Sequence, residues 1–119
     1  MTTQECQRIT FYRSLLEVYD CFNYMNYDNS IRILENILKD INELCKQSPY
    51  FDYYRRRMEY SRVIPKSIKS KQKRFNEWLH KAIFNISKNH YISSYSYIRD
   101  MKTILEELND NNRASWFRD

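Results

Sequence analysis

Glycine is absent from all 119 residues of this chain, and proline occurs only twice, at Pro49 and Pro65. Phosphate-cradling loops and dinucleotide-binding turns bring backbone close to a ligand at positive φ, which glycine reaches without steric cost. Its absence excludes P-loop, Rossmann and kinase-type nucleotide sites. Two-residue β-hairpins draw on the same residue, so a β-rich fold is disfavoured as well.

Paired cysteines are missing too. Cys6, Cys21 and Cys45 are widely spaced and form no CxxC pair. An odd, scattered set predicts reduced thiols. No secretory pattern follows Met1-Thr2-Thr3-Gln4-Glu5, so an intracellular setting, cytoplasm or nucleus, is expected. Long apolar runs are lacking: the longest, such as Ala82-Ile83-Phe84, are about three residues. A membrane span takes roughly 20, so no membrane partner is expected.

What is present reads as an ordered globular domain. The hydrophobic fraction is 42% and the charged fraction 29%, and there are 11 Tyr, 6 Phe and 2 Trp. Such a chain can bury a core and has room for one domain. Residue choice favours Ile, Asn, Tyr and Lys over Gly, Ala and Pro. This matches A/T-rich codons and points to a viral, phage or other AT-rich genome.

The fold class expected is all-α, a compact bundle of about five helices with mostly antiparallel neighbours, in a single domain over 1–112. Thr2 to Glu5 fits a capping box. Behind it, Phe11, Leu15, Val18, Phe22 and Met25 recur at helical spacing, with Ile9, Tyr12, Leu16 and Tyr19 as an adjacent stripe. That wide arc predicts a first helix over 3–27, buried on more than one side. Asp28-Asn29-Ser30 reads as a stop and restart, giving a second helix over 30–47 with Ile33, Leu34, Ile37, Leu38, Ile41 and Leu44 inward. Ser48-Pro49 starts a third over 49–63, which stops before Pro65. A linker over 65–70 leads to a fourth helix over 70–88. The fifth is expected over 94–109, ended by Asn109-Asp110-Asn111-Asn112, with a tail over 113–119. No strand-period alternation or internal repeat is evident.

Charge is concentrated. Residues 55–74 carry Arg55, Arg56, Arg57, Arg62, Lys66, Lys69, Lys71, Lys73 and Arg74 against the single acid Glu59, or 9 − 1 = +8. The rest carries 11 basic and 14 acidic residues, or −3, so the net +5 comes from one stretch. Such a stretch attracts phosphate backbones or an acidic protein surface. Tyr54, Tyr60 and Trp78 lie in or beside it and suit stacking on unpaired bases. Trp116 and Phe117 close the chain, either docked on the domain's own core or inserted into a partner. Against this, three consecutive arginines spread over about 200° of a helix, and Arg55 and Glu59 stand at a spacing that pairs along it.

Chemistry-bearing residues do not form a set. Glu77 and His80 make one ExxH pair, whereas di-iron bundles use two pairs and two further glutamates. His90 is the only other histidine. Structural zinc sites bring cysteines two to four residues apart, and these three lie on or beside apolar stripes, where a thiol behaves as a small hydrophobe. The chain is therefore expected to be non-enzymatic, with no metal and no cofactor. The function expected is a helical binding module for a polyanionic partner, nucleic acid or a nucleoprotein complex. The alternative is a protein-interaction module, such as a viral adaptor or inhibitor of a host protein, or a subunit of a larger or homo-oligomeric complex.

Overall fold

A computed structural model describes residues 3–116, with side chains described for 5–110 apart from Tyr54. Among the described residues there are five helices and no strands: α1 (Thr3–Asn23), α2 (Tyr27–Lys46), α3 (Phe51–Met58), α4 (Ile68–Ser87) and α5 (Tyr91–Trp116). The all-α bundle expected from the sequence is the architecture found. No helix among the described residues is long and apolar enough to cross a membrane.

The long helices α1, α2, α4 and α5 form the bundle. α5 packs against α2, α4 and the short α3, and α1 packs against α2 and α4. The core they enclose holds Phe11, Leu15, Val18, Leu34, Ile41, Phe75, Leu79, Ile86, Ile98, Met101, Ile104 and Leu105, all nearly solvent-free. Stacking of Phe22 on Phe75, 4.2 Å between ring centres, locks the end of α1 onto the start of α4.

Two connections show how the chain turns without glycine. Two residues past each helix the chain turns left-handed, at Met25 after α1 (φ 59°) and at Asn89 after α4 (φ 60°). In each, the next amide reaches back five residues: Asn26 N–H donates to the Cys21 carbonyl and His90 N–H to the Asn85 carbonyl, both at 2.8 Å. This is the helix stop that glycine normally makes.

Several boundaries differ from expectation for identifiable reasons. Asp28-Asn29-Ser30 lies inside the first turn of α2, because Asn26 is the cap, its Oδ1 accepting from Asn29 N–H. Ser48 closes the turn before α3 through Tyr50 N–H, 3.2 Å, and the helix begins two residues beyond Pro49. α3 ends at Met58, not 63, since the amide of Arg62 donates to the Asp100 carboxylate at 3.1 Å. α4 starts at Ile68, where Ser67 caps Ser70 N–H at 3.1 Å. α5 begins at Tyr91 and runs through the expected stop at 109–112 to Trp116. Glu106 is thus mid-helix, paired with Lys102 at 3.5 Å. Thr2 of the expected capping box and Phe117 of the tail lie outside the described residues. α1 is buried on one side only, and Ile9, Tyr12, Leu16 and Tyr19 are exposed.

Candidate nucleic-acid interface

The basic segment spans the end of α3, the connection 59–67 and the start of α4. Two residues of α5 hold that connection down. Asp100, 2% exposed, accepts from the Arg62 guanidinium at 3.0 Å as well as from its amide. Arg62 also donates to Ser96 Oγ at 3.2 Å and lies 3.5 Å from the centre of the Tyr97 ring. Arg99 donates to the carbonyls of Met58 and Tyr60 and to Ser61 Oγ at 3.1 Å. The first part of a nine-residue connection that could have been a solvated linker, residues 60–62, is instead strapped onto α5.

This arrangement sorts the nine expected binding cations. Two are corrections: Arg62 is consumed by Asp100, Ser96 and Tyr97, and Lys71 is buried. The Lys71 ammonium, on a residue 5% exposed, donates to the Lys66 carbonyl at 2.7 Å. Two more stand in exposed ion pairs, Arg55 with Glu59 at 3.6 Å and Arg74 with Glu77 at 2.9 Å. That leaves Arg56, Arg57, Lys66, Lys69 and Lys73. All five are exposed, and among the described residues no carboxylate comes within ion-pair distance of them.

The five do not make one cluster. Arg57 lines a cleft of about 640 Å³ with His90, Tyr91 and Ser93, at the N-terminal end of α5. Lys73 lines another with Asn23 and Met25, beside the α2 start that Asn109 of α5 contacts through Asp28 at 2.8 Å. The cations are therefore spread from the end of α3 to the second turn of α4. A spread set matches an extended polyanion, which in duplex DNA presents one charge per roughly 1.7 Å of axis, better than a small anion. The first turn of α4 holds no acid, and its positive dipole end adds to Lys66 and Lys69.

Of the aromatics expected to contact a ligand, Tyr60 is exposed, 5.4 Å from the Arg62 guanidinium. Trp78 is a correction, being buried in the core on the inner face of α4. The side chains of Tyr54 and Trp116 lie outside those described.

The remaining chemical candidates are engaged elsewhere. His80 Nδ1 donates to the Asn76 carbonyl at 2.7 Å while Glu77 holds Arg74, so the ExxH pair is divided between two partners. Among the described residues no group of three or more His, Cys, Asp or Glu could hold a metal ion. Cys45 and His90 line the same cleft, a juxtaposition the spacing did not suggest. Burial pushes the Cys45 thiol above its ordinary range, the wrong direction for a nucleophile.

Sequence reading missed Arg99 and Asp100, although a signal existed. Asp100 stands three residues after Tyr97 and four before Ile104, inside the apolar arc of α5. A carboxylate there demands a buried cation. Comparison with known protein families, curated proteins and solved structures finds no match to this chain.

Proposed function

We propose that this chain is a non-enzymatic helical module that binds a polyanion, in the first place nucleic acid, along the edge formed by α3, the strapped connection and the start of α4. The observation that carries this reading is the set of five exposed cations on α3, the connection and the start of α4 that, among the described residues, no carboxylate neutralises. Phosphates recruited there release counterions, so affinity must fall with salt.

Titration of a fluorescent oligonucleotide at several salt concentrations tests it. Five phosphate contacts give a slope of log affinity on log salt of about −4.5 on duplex and −3.5 on single strands. Changing Arg56, Arg57, Lys66, Lys69 and Lys73 to Gln abolishes binding while leaving the helical fold intact. Absence of binding at low salt, or binding unaffected by those five changes, overturns the reading.

A second reading rests on α1, where Ile9, Tyr12, Leu16 and Tyr19 form an exposed stripe, of which Ile9 and Tyr12 share a cleft with Ile83 and Ile86 of α4. Its fitting occupant is a second copy of the chain. Antiparallel packing of two α1 stripes about their midpoint sets Arg13 of one copy within about 3 Å along the axis of the level of the other's Glu17, and the reverse. Sedimentation of wild type and Leu16→Lys decides it: a concentration-dependent dimer lost in the variant supports the contact, and a monomer throughout removes it.

A further inference from the structure

Resting on the polyanion reading, we infer that the cleft between the α1–α2 turn and α4 takes one unpaired nucleotide of a single-stranded nucleic acid. The cleft, about 310 Å³, is lined by Phe22, Asn23, Met25, Tyr27, Gln72, Lys73 and Asn76. Residues almost 50 positions apart in the chain meet here because Phe22 stacks on Phe75 beneath it. The floor is thus rigid and apolar, while the rim is polar.

Four rim side chains make the chemical case. Asn23, Gln72, Lys73 and Asn76 are exposed, and among the described residues none of them spends a side-chain hydrogen bond or ion pair within the protein. Each amide offers a donor and an acceptor, the pairing that a base edge presents. Lys73 supplies a point charge for the adjoining phosphate. Asp28, at the start of α2, is held by the Asn109 amide at 2.8 Å.

The turn supplies the stacking surface. Tyr24 follows Asn23 and is 86% exposed, and Met25, which lines the cleft, is 57% exposed. The left-handed Met25 fixes the turn that displays them. An aromatic ring standing in water between two lining residues, Asn23 and Met25, offers a face for a stacked base, while Lys73 on the opposite wall offers a charge for its phosphate. The polar rim selects the unpaired form, whose base edge is free to pair with the amides, and the volume lies at the lower end of small-ligand clefts, roughly 300 Å³, with room for one base. From here the strand continues past Lys69 and Lys66 along the strapped edge.

Fluorescence anisotropy at low salt tests this with three probes of equal phosphate count: a deoxyuridine strand, a uridine strand and a duplex hairpin. The expected result is tighter binding of the strands than of the hairpin. Tyr24→Ala weakens strand binding about tenfold or more, the loss of one stacked base, Tyr24→Phe keeps it, and neither alters hairpin binding. The two strands show whether the 2′-hydroxyl is read. Equal affinity for strands and hairpin with Tyr24→Ala unchanged overturns the nucleotide site and leaves the polyanion reading standing. Failure to bind any of the three overturns both.

Discussion

Asp100 accepts two hydrogen bonds from Arg62, one from the backbone amide at 3.1 Å and one from the guanidinium at 3.0 Å. A single buried carboxylate thereby ends α3, fixes the path to α4 and removes one cation from the surface. Arg99 lies beside it, its Nε 3.9 Å from the other carboxylate oxygen and buried without a hydrogen-bond partner. Two guanidinium groups share one acid. Sequence alone would count both arginines as surface charge, whereas their role here is to hold backbone.

Removing the acid should therefore cost more than removing a surface charge. Asp100→Ala leaves the Arg62 amide without its acceptor, takes one of two acceptors from the Arg62 guanidinium and removes the counter-charge beside Arg99. Losing one partner of a buried pair destabilises by about 3–5 kcal/mol. Arg62 is partly exposed and recovers some hydration, so a loss of about 3 kcal/mol in urea unfolding is expected. Hydrogen exchange in residues 59–67 should accelerate more than in α2. A loss under about 1 kcal/mol would mean that the strap contributes little.

Lys71 separates structural from binding cations. Its ammonium is buried and donates to one carbonyl, so Lys71→Met gives up one hydrogen bond and relieves the desolvation of a charge. The change should leave stability within about 1 kcal/mol and leave the salt slope of oligonucleotide binding where it was. Lys69→Gln and Lys73→Gln, on exposed neighbours, should each lower that slope by about 0.7–0.9. Parallel titrations of the three variants check this, and an effect of Lys71→Met equal to the others would place its charge at the ligand.

Much of the fold was legible because apolar spacing is a local signal. Phe75, Leu79, Ala82 and Ile86 name the inner face of α4, and Ile98, Met101, Ile104 and Leu105 that of α5, with no knowledge of neighbours. Exposure of the Ile9, Tyr12, Leu16 and Tyr19 stripe was not legible, because it depends on how many helices surround α1. The boundary at Met58 was hidden for a related reason: the group that stops α3 is Asp100, far along the chain. Charge concentration over 55–74 could be counted, but which cations face outward is a tertiary property. The cleft at Asn23, Gln72 and Asn76 exists only once α1 and α4 are stacked.

The missing glycine leaves a measurable strain. Met25 holds φ 59°, a region that costs a non-glycine residue about 1–2 kcal/mol. Glycine there removes the steric term but adds entropy to the unfolded chain, about 0.5–1 kcal/mol. Met25→Gly should raise stability by up to about 1 kcal/mol. Asn89→Gly should gain less, since asparagine tolerates the left-handed region better. Urea midpoints of the two variants compare them directly, and a loss of stability at Met25 would show that its side-chain contacts outweigh the strain.

Alkaline pH should weaken the fold through Cys45 and Tyr91. Burial raises the Cys45 thiol above its ordinary 9.0. It also raises the Tyr91 phenol above 10.0, with the charge of Arg8 opposing the shift. Both groups are neutral when protonated. Above pH 9 the unfolded chain releases the Cys45 proton while the folded chain keeps it. The folded state then binds more protons, so stability is full below about pH 9 and falls as pH rises, by at most about 1.4 kcal/mol per unit for the thiol. Tyr91 adds to the decline only above pH 10. Urea unfolding across this range should show the fall in wild type, and Cys45→Ala should flatten its first part, leaving the Tyr91 component. A wild-type curve that stays level through pH 10 would mean that the Cys45 thiol ionises equally in both states, and hence that water reaches the floor of the cleft it shares with His90.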